Sequence, residues 1–162
     1  MSLESDRPIQ DLMPHNHCYG CGAGNAEGLR LKSFRRGPQL SVAQFVPQAH
    51  HCAGPPHFVN GGVLATIVDC HCVCTAVAEA YAAAGREIGT APHLYFATAT
   101  LEIGYRRPTP IDVPLDLTAR VTSAADDRYV LSCEVSAAGK VTAVATVHAV
   151  RVPAEWMAGP RA

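Results

Sequence analysis

The sequence predicts an α+β fold in which one long central helix is wrapped by an antiparallel sheet of about five to six strands. Three observations predict it. Across residues 61–84, Leu64, Ile67, Val68, Val77 and Tyr81 recur at mostly helical spacing. That helix is apolar almost all round, so it must be covered on most sides. Downstream, residues 93–107, 114–123, 129–136 and 141–152 read as strands, two of the junctions being the short turns Asp126-Asp127-Arg128 and Ala137-Ala138-Gly139-Lys140. A helix followed by meandering strands buries its surface by lying in the curl of the sheet.

Taken in chain order, residues 1–28 are expected to be an irregular arm, with Gly20, Gly22, Gly24, Gly28 and two prolines. Residues 29–34 and 40–46 alternate apolar and polar side chains around Gly37-Pro38, the pattern of a hairpin. Asn60 is a favoured N-cap for the helix, and Gly85 stands where such a helix stops. Pro108 and Pro110 end the long strand. The core domain is expected over residues 29–152, with a tail at 153–162.

With 162 residues, 48% hydrophobic and 17% charged, the chain suits one domain with a sizeable core. A net charge of -1 offers no basic face for nucleic acid, and no polybasic run suits a membrane surface. The acidic start Met1-Ser2-Leu3-Glu4-Ser5-Asp6 does not read as an export signal. Seven cysteines at irregular positions fit a reducing compartment better than a disulfide framework. The expectation is a cytoplasmic protein with no nucleic-acid or membrane partner.

One carboxylate stands out. Between Arg36 and Glu79 the only Asp, Glu, Lys or Arg is Asp69, set within the apolar helix. An unpartnered buried carboxylate costs several kcal/mol or shifts its pKa upward. Asp69 is therefore the first candidate for chemistry, against the alternative of a core carboxylate satisfied by a neighbouring hydroxyl or amide. At the helix start, Gly61 and Gly62 follow Asn60, and the first N–H groups of a helix lack internal partners at its positive end. They suit a developing oxyanion, or equally a close packing contact. Asp69 lies eight residues beyond Gly61, about 12 Å along the axis at ~1.5 Å per residue. If both serve one carbonyl, they come from different copies of the chain, with the helices antiparallel across a two-fold axis.

The string Gly54-Pro55-Pro56-His57-Phe58-Val59-Asn60-Gly61-Gly62-Val63-Leu64-Ala65-Thr66-Ile67-Val68-Asp69, followed by Thr98-Ala99-Thr100-Leu101-Glu102-Ile103-Gly104-Tyr105-Arg106-Arg107-Pro108, resembles the hotdog-fold acyl-CoA thioesterases. Within the 4-hydroxybenzoyl-CoA thioesterase superfamily it is most similar to the PaaI-like branch. Cys18-Tyr19-Gly20-Cys21-Gly22, with Asn25 and Gly28-Leu29, resembles an N-terminal signature of that branch. The resemblance covers roughly residues 17–152. It implies a homodimer or dimer of dimers that hydrolyses a coenzyme A thioester and needs no further cofactor. It also implies roles: Asp69 as nucleophile or general base toward water, the Gly61 N–H polarising the thioester carbonyl, and Thr98, seven residues before Tyr105, orienting the water or carboxylate.

Two positions depart from the family pattern. Asn60 stands where the family usually has His, so a titratable ring is replaced by a neutral amide that still caps the helix. An Asn found in some relatives six residues before the glycine pair falls on Gly54 or Pro55 and is absent. Gly62 joins Gly61 in the expected substrate-binding set. The resemblance places Arg106 and Arg107 near coenzyme A phosphates, the alternative being a solvated edge pair.

Cys18-x-x-Cys21 with His15 and His17 invites a zinc reading, but no second half follows at standard spacing, so no metal is expected and the arm is read as packed. Cys70 and Cys74 share a helix face and read as core thiols. His71, two residues past Asp69, points elsewhere. The leading expectation is thus a thioester hydrolase. A non-catalytic acyl-CoA-binding module is the alternative, and a hydratase lacks a His–Asp pair on the helix. Residues 82–93 are expected to form a loop near the pocket mouth.

Overall fold

In the computed structural model, which describes residues 6–159, the expected hotdog architecture is present. The hairpin β1 (Lys32–Arg35) and β2 (Leu40–Phe45) precedes α1 (Gly61–Ala83), and β3 (Tyr95–Tyr105), β4 (Leu115–Ala125), β5 (Arg128–Ala137) and β6 (Lys140–Val152) follow it. A short helix, α2 (Ala154–Met157), closes the described chain. All six strands join one antiparallel sheet in the order β1-β2-β4-β5-β6-β3. The strand nearest the helix in sequence is therefore an edge strand, paired only with β6.

α1 packs against every strand, and Ile67, Val68, Cys72 and Ala76 on it are wholly buried. Among the sheet's buried residues, Ser33, Ser41, Ala43, Ala119, Ala143 and Ala149 are small, while Leu115, Leu117, Leu131, Val135 and Val147 supply bulk. Small side chains under a bulky helix let the two layers approach closely. α1 is the one helix among the described residues long and apolar enough to cross a membrane, yet it lies in the curl of the sheet.

Local chemistry sets the boundaries. The Asn60 side chain accepts the Gly62 N–H at 2.7 Å, the N-cap expected from its residue type. At the far end Gly85 takes φ +64, a left-handed geometry that stops a helix cheaply only in glycine. Asp126 and Asp127 (φ +48 and +63), then Ala138 and Gly139 (φ +49 and +74), each supply the two consecutive left-handed positions of a tight hairpin. β1 starts three residues later than its alternation suggested. The N–H groups of Leu29 and Leu31 donate instead to the arm carbonyls of Tyr19 and Gly20, at 2.8 and 3.0 Å.

One ion pair ties hairpin to helix. Arg35 Nε donates to Glu79 Oε1 at 2.7 Å, with both side chains about nine-tenths buried, so the charge-free stretch around Asp69 is closed at the helix by a charge that is itself matched.

Candidate active site

Asp69 sits on the most open stripe of α1. Gly62 is exposed, and Thr66, Asp69 and Val73 are half-buried at the 3–4 residue spacing of one helix face. The Thr98 hydroxyl donates to Asp69 Oδ1. Oδ2 makes no hydrogen bond among the described residues and is left to meet water or substrate. Burial pushes the Asp69 carboxyl above its ordinary value, the Thr98 bond pulls it back, and charge at Cys21 adds to the upward push.

β3 carries the device that brings Thr98 to this carboxylate. Thr98 and Tyr105 are seven residues apart, an odd number that would put them on opposite faces of a regular strand. A bulge intervenes: Thr98 pairs with Ala149 and Thr100 with His148, leaving Ala99 as the extra residue. Removing one residue from the count puts both on the helix side. Phe96 and Thr98 face α1 before the bulge, and Leu101, Ile103 and Tyr105 after it.

At the other end of β3, Tyr105 Oη donates to the Gly61 carbonyl at 2.7 Å and holds the helix start. The two helix-start amides now divide their roles. Gly62 N–H is spent on the Asn60 cap, whereas Gly61 N–H has no partner among the described residues. A Cβ on Gly61 would lie 3.2 Å from Tyr105 Oη, so any larger side chain crowds this opening.

Gly61 lines a pocket of about 510 Å³ with Phe58, Leu64, Arg106, Arg107 and Thr109. Both arginines are exposed and neither forms an ion pair among the described residues. Thr109 was not singled out in the sequence. It is 2% exposed, and its hydroxyl has no partner among the described residues. A lone threonine after Pro108 carries no signal that would have found it.

Of the expected site residues, Asp69 and Thr98 therefore meet directly, and Asn60, Gly61, Gly62, Arg106 and Arg107 cluster at the helix start. The two groups stay apart within one chain, as the helical rise requires. The connection over residues 84–94 lies at the opposite end of α1 from this pocket. It is tied down by Arg86 Nη2, which donates to the Thr90 and Pro92 carbonyls at 2.6 Å each, so within one chain it does not form the pocket mouth. His71 is no partner for Asp69: Ser33 Oγ lies 2.8 Å from its Nδ1, and its Nε2 faces the Ser41 carbonyl at 3.2 Å. Complete burial lowers its pKa to about 4, so the ring is neutral.

The family model described as Thioesterase superfamily matches residues 57–144, a span that includes Gly61, Asp69, Thr98 and both arginines. Among solved structures, a thioesterase superfamily protein from Shewanella loihica PV-4 is 32% identical, with 86% of this chain and 96% of that one covered and a TM-score of 0.61. The E. coli PaaI protein from the phenylacetic acid degradation operon superposes with a TM-score of 0.63 at 17% identity, covering 77% of this chain and 81% of that one. Streptococcus mutans UA159 smu.793, solved bound to acetyl CoA, gives 0.62 at 12% identity, covering 75% and 88%. At those last two identities the likeness is one of fold. No curated protein matches the chain.

Proposed function

Because the chain belongs to the thioesterase superfamily, we propose that it hydrolyses an acyl-CoA thioester in a site shared between two copies, and that Asp69 is its catalytic carboxylate. The observation that carries this reading is the state of Asp69: one oxygen held by Thr98, the other open, on a helix face left half-exposed. The Gly61 N–H needed to polarise the carbonyl is about 12 Å away along the same helix, at ~1.5 Å per residue. An antiparallel second α1 laid against the open stripe brings the partner's helix start to Asp69 and covers the stripe.

The chemistry then balances simply. Asp69 acts as base or nucleophile, and water is consumed. The C–S bond breaks as the carbonyl collapses, and the products are a carboxylic acid and the coenzyme A thiol. Charge developing on the carbonyl oxygen falls on the free Gly61 N–H at a helix N-terminus. Asn60 caps that terminus and transfers no proton. The pocket beside Gly61 suits the pantetheine arm, with Arg106 and Arg107 toward the phosphates. The acetyl CoA bound by the similarly folded S. mutans protein supports this ligand class.

Thr98→Val is expected to reduce kcat by roughly 10–100-fold, the equivalent of a hydrogen bond of ~1.5–3 kcal/mol to a charged group, with Thr98→Ser retaining most activity. Steady-state kinetics on both variants check it. Arg106→Ala and Arg107→Ala are expected to raise KM several-fold at low salt with kcat nearly unchanged, the difference shrinking as salt screens the phosphates. An unchanged KM at low ionic strength removes them from the site.

Asn60 favours a second reading, a protein that binds acyl-CoA without cleaving it. Release of free coenzyme A thiol over a panel of acyl-CoAs separates the two: binding without release of thiol for every member would establish the second.

A further inference from the structure

We propose that Cys18, Cys21, Cys70 and Cys74 form a zinc site that clips the N-terminal arm to α1 at the turn next to Asp69. The missing second half of the Cys18-x-x-Cys21 pattern is not another loop. It is a pair one helical turn apart, Cys70 and Cys74, presented on one face of α1.

Three of the sulfurs are gathered as ligands of one thiolate centre, and the fourth adjoins them. Cys18 Sγ lies 3.6 Å from Cys70 Sγ, and Cys21 Sγ lies 3.9 Å from Cys74 Sγ. The ligand atoms of Cys18, Cys21 and Cys70 all fall within 4.8 Å of one another; Cys74 stands outside that group and is assigned as the fourth ligand through its contact with Cys21. Zinc–sulfur bonds of about 2.3 Å in a tetrahedron place the sulfurs about 3.8 Å apart. All four cysteines are free, and 3.6 Å is far beyond the ~2.05 Å of a disulfide. Four soft donors in this arrangement select zinc over the hard cations that oxygen ligands prefer.

The arm is shaped for this contact. Gly22 N–H donates to the Cys18 carbonyl at 2.8 Å, and Cys18 N–H donates to Asn16 Oδ1 at 2.9 Å, curling the chain so that both thiols point the same way. A Cβ on Gly20 would lie 2.3 Å from Cys70 Sγ, and one on Gly22 would lie 2.4 Å from the Cys18 backbone nitrogen. Glycine at position 20 lets the arm's backbone reach the helix, and glycine at position 22 lets the arm curl back on itself. Asn16 Nδ2, at 4.0 Å from Cys21 Sγ, adds a weak donor to one sulfur. Zinc entering the cluster displaces the thiol protons to solvent and leaves four thiolates on the metal.

The test is metal analysis of the full chain purified under reducing conditions, followed by Co²⁺ substitution. One zinc per chain is expected, together with tetrahedral Co²⁺ d–d bands and sulfur-to-cobalt charge transfer. Cys18→Ser and Cys74→Ser are each expected to weaken zinc binding by more than the ~10–100-fold that loss of an outer-shell partner costs, while Cys52→Ser leaves it unchanged. Failure of the folded, reduced wild-type chain to take up zinc overturns the proposal, as does iron in its place. A Cys18–Cys70 disulfide in freshly purified protein, seen by intact mass, replaces the metal site with a redox one. Equally tight zinc binding by Cys74→Ser defeats the four-thiolate assignment. The wild-type metal measurement stands whether or not a variant folds.

Discussion

Asp69→Asn is expected to lower kcat for acyl-CoA hydrolysis by about 10²–10⁴-fold, the range associated with a positioned base, with little change in KM. The substitution is nearly isosteric, and the amide oxygen still accepts the Thr98 hydroxyl, so the local geometry survives. What disappears is the negative oxygen facing water. Because burial already disfavours the ionised carboxylate, its neutral analogue is expected to melt no lower than the wild type. Kinetics, size-exclusion chromatography and thermal melting on one sample make the check. Undiminished turnover in a folded variant would remove Asp69 from the mechanism.

Arg35→Met is expected to destabilise the fold by about 3–5 kcal/mol, because it strands the Glu79 carboxylate without its cation in a nearly dry position. For a chain of this size that corresponds to a fall in melting temperature of roughly 6–20 °C. The double variant Arg35→Met/Glu79→Leu is expected to regain most of the loss, since removing both charges also removes their desolvation. Thermal melts of the single and double variants form the necessary cycle. A single variant within about 0.5 kcal/mol of wild type would show that the pair is effectively solvated.

Much of this molecule was legible because its signals are local. The helix core, its Asn60 cap, its Gly85 stop and the two hairpin turns follow from periodicity and backbone preference, which act over a few residues. Asp69 stood out because charge is absent for dozens of positions around it. The Gly61–Asp69 separation needed only the helical rise. Thr98 and the two arginines were legible through family resemblance, not through any pattern in their own surroundings. Thr109 was not legible at all, since an unsatisfied hydroxyl is defined only by what packs around it.

Thus the sequence by itself determined that one apolar helix would be wrapped by an antiparallel sheet and would carry a lone carboxylate away from its own start. Only the tertiary structure decided which groups that carboxylate and its neighbours meet. The bulge at Ala99 shifts the pleat of β3 and turns Thr98 and Tyr105 to one face, a choice invisible to alternation read along the strand. Spending the Gly62 N–H on Asn60 leaves Gly61 with the open amide. Folding the arm against α1 makes neighbours of Cys18 and Cys70, fifty-two residues apart in the chain. Propensity and periodicity are properties of neighbours in sequence, whereas a hydrogen bond to a particular oxygen or a cluster of sulfurs depends on how the layers pack.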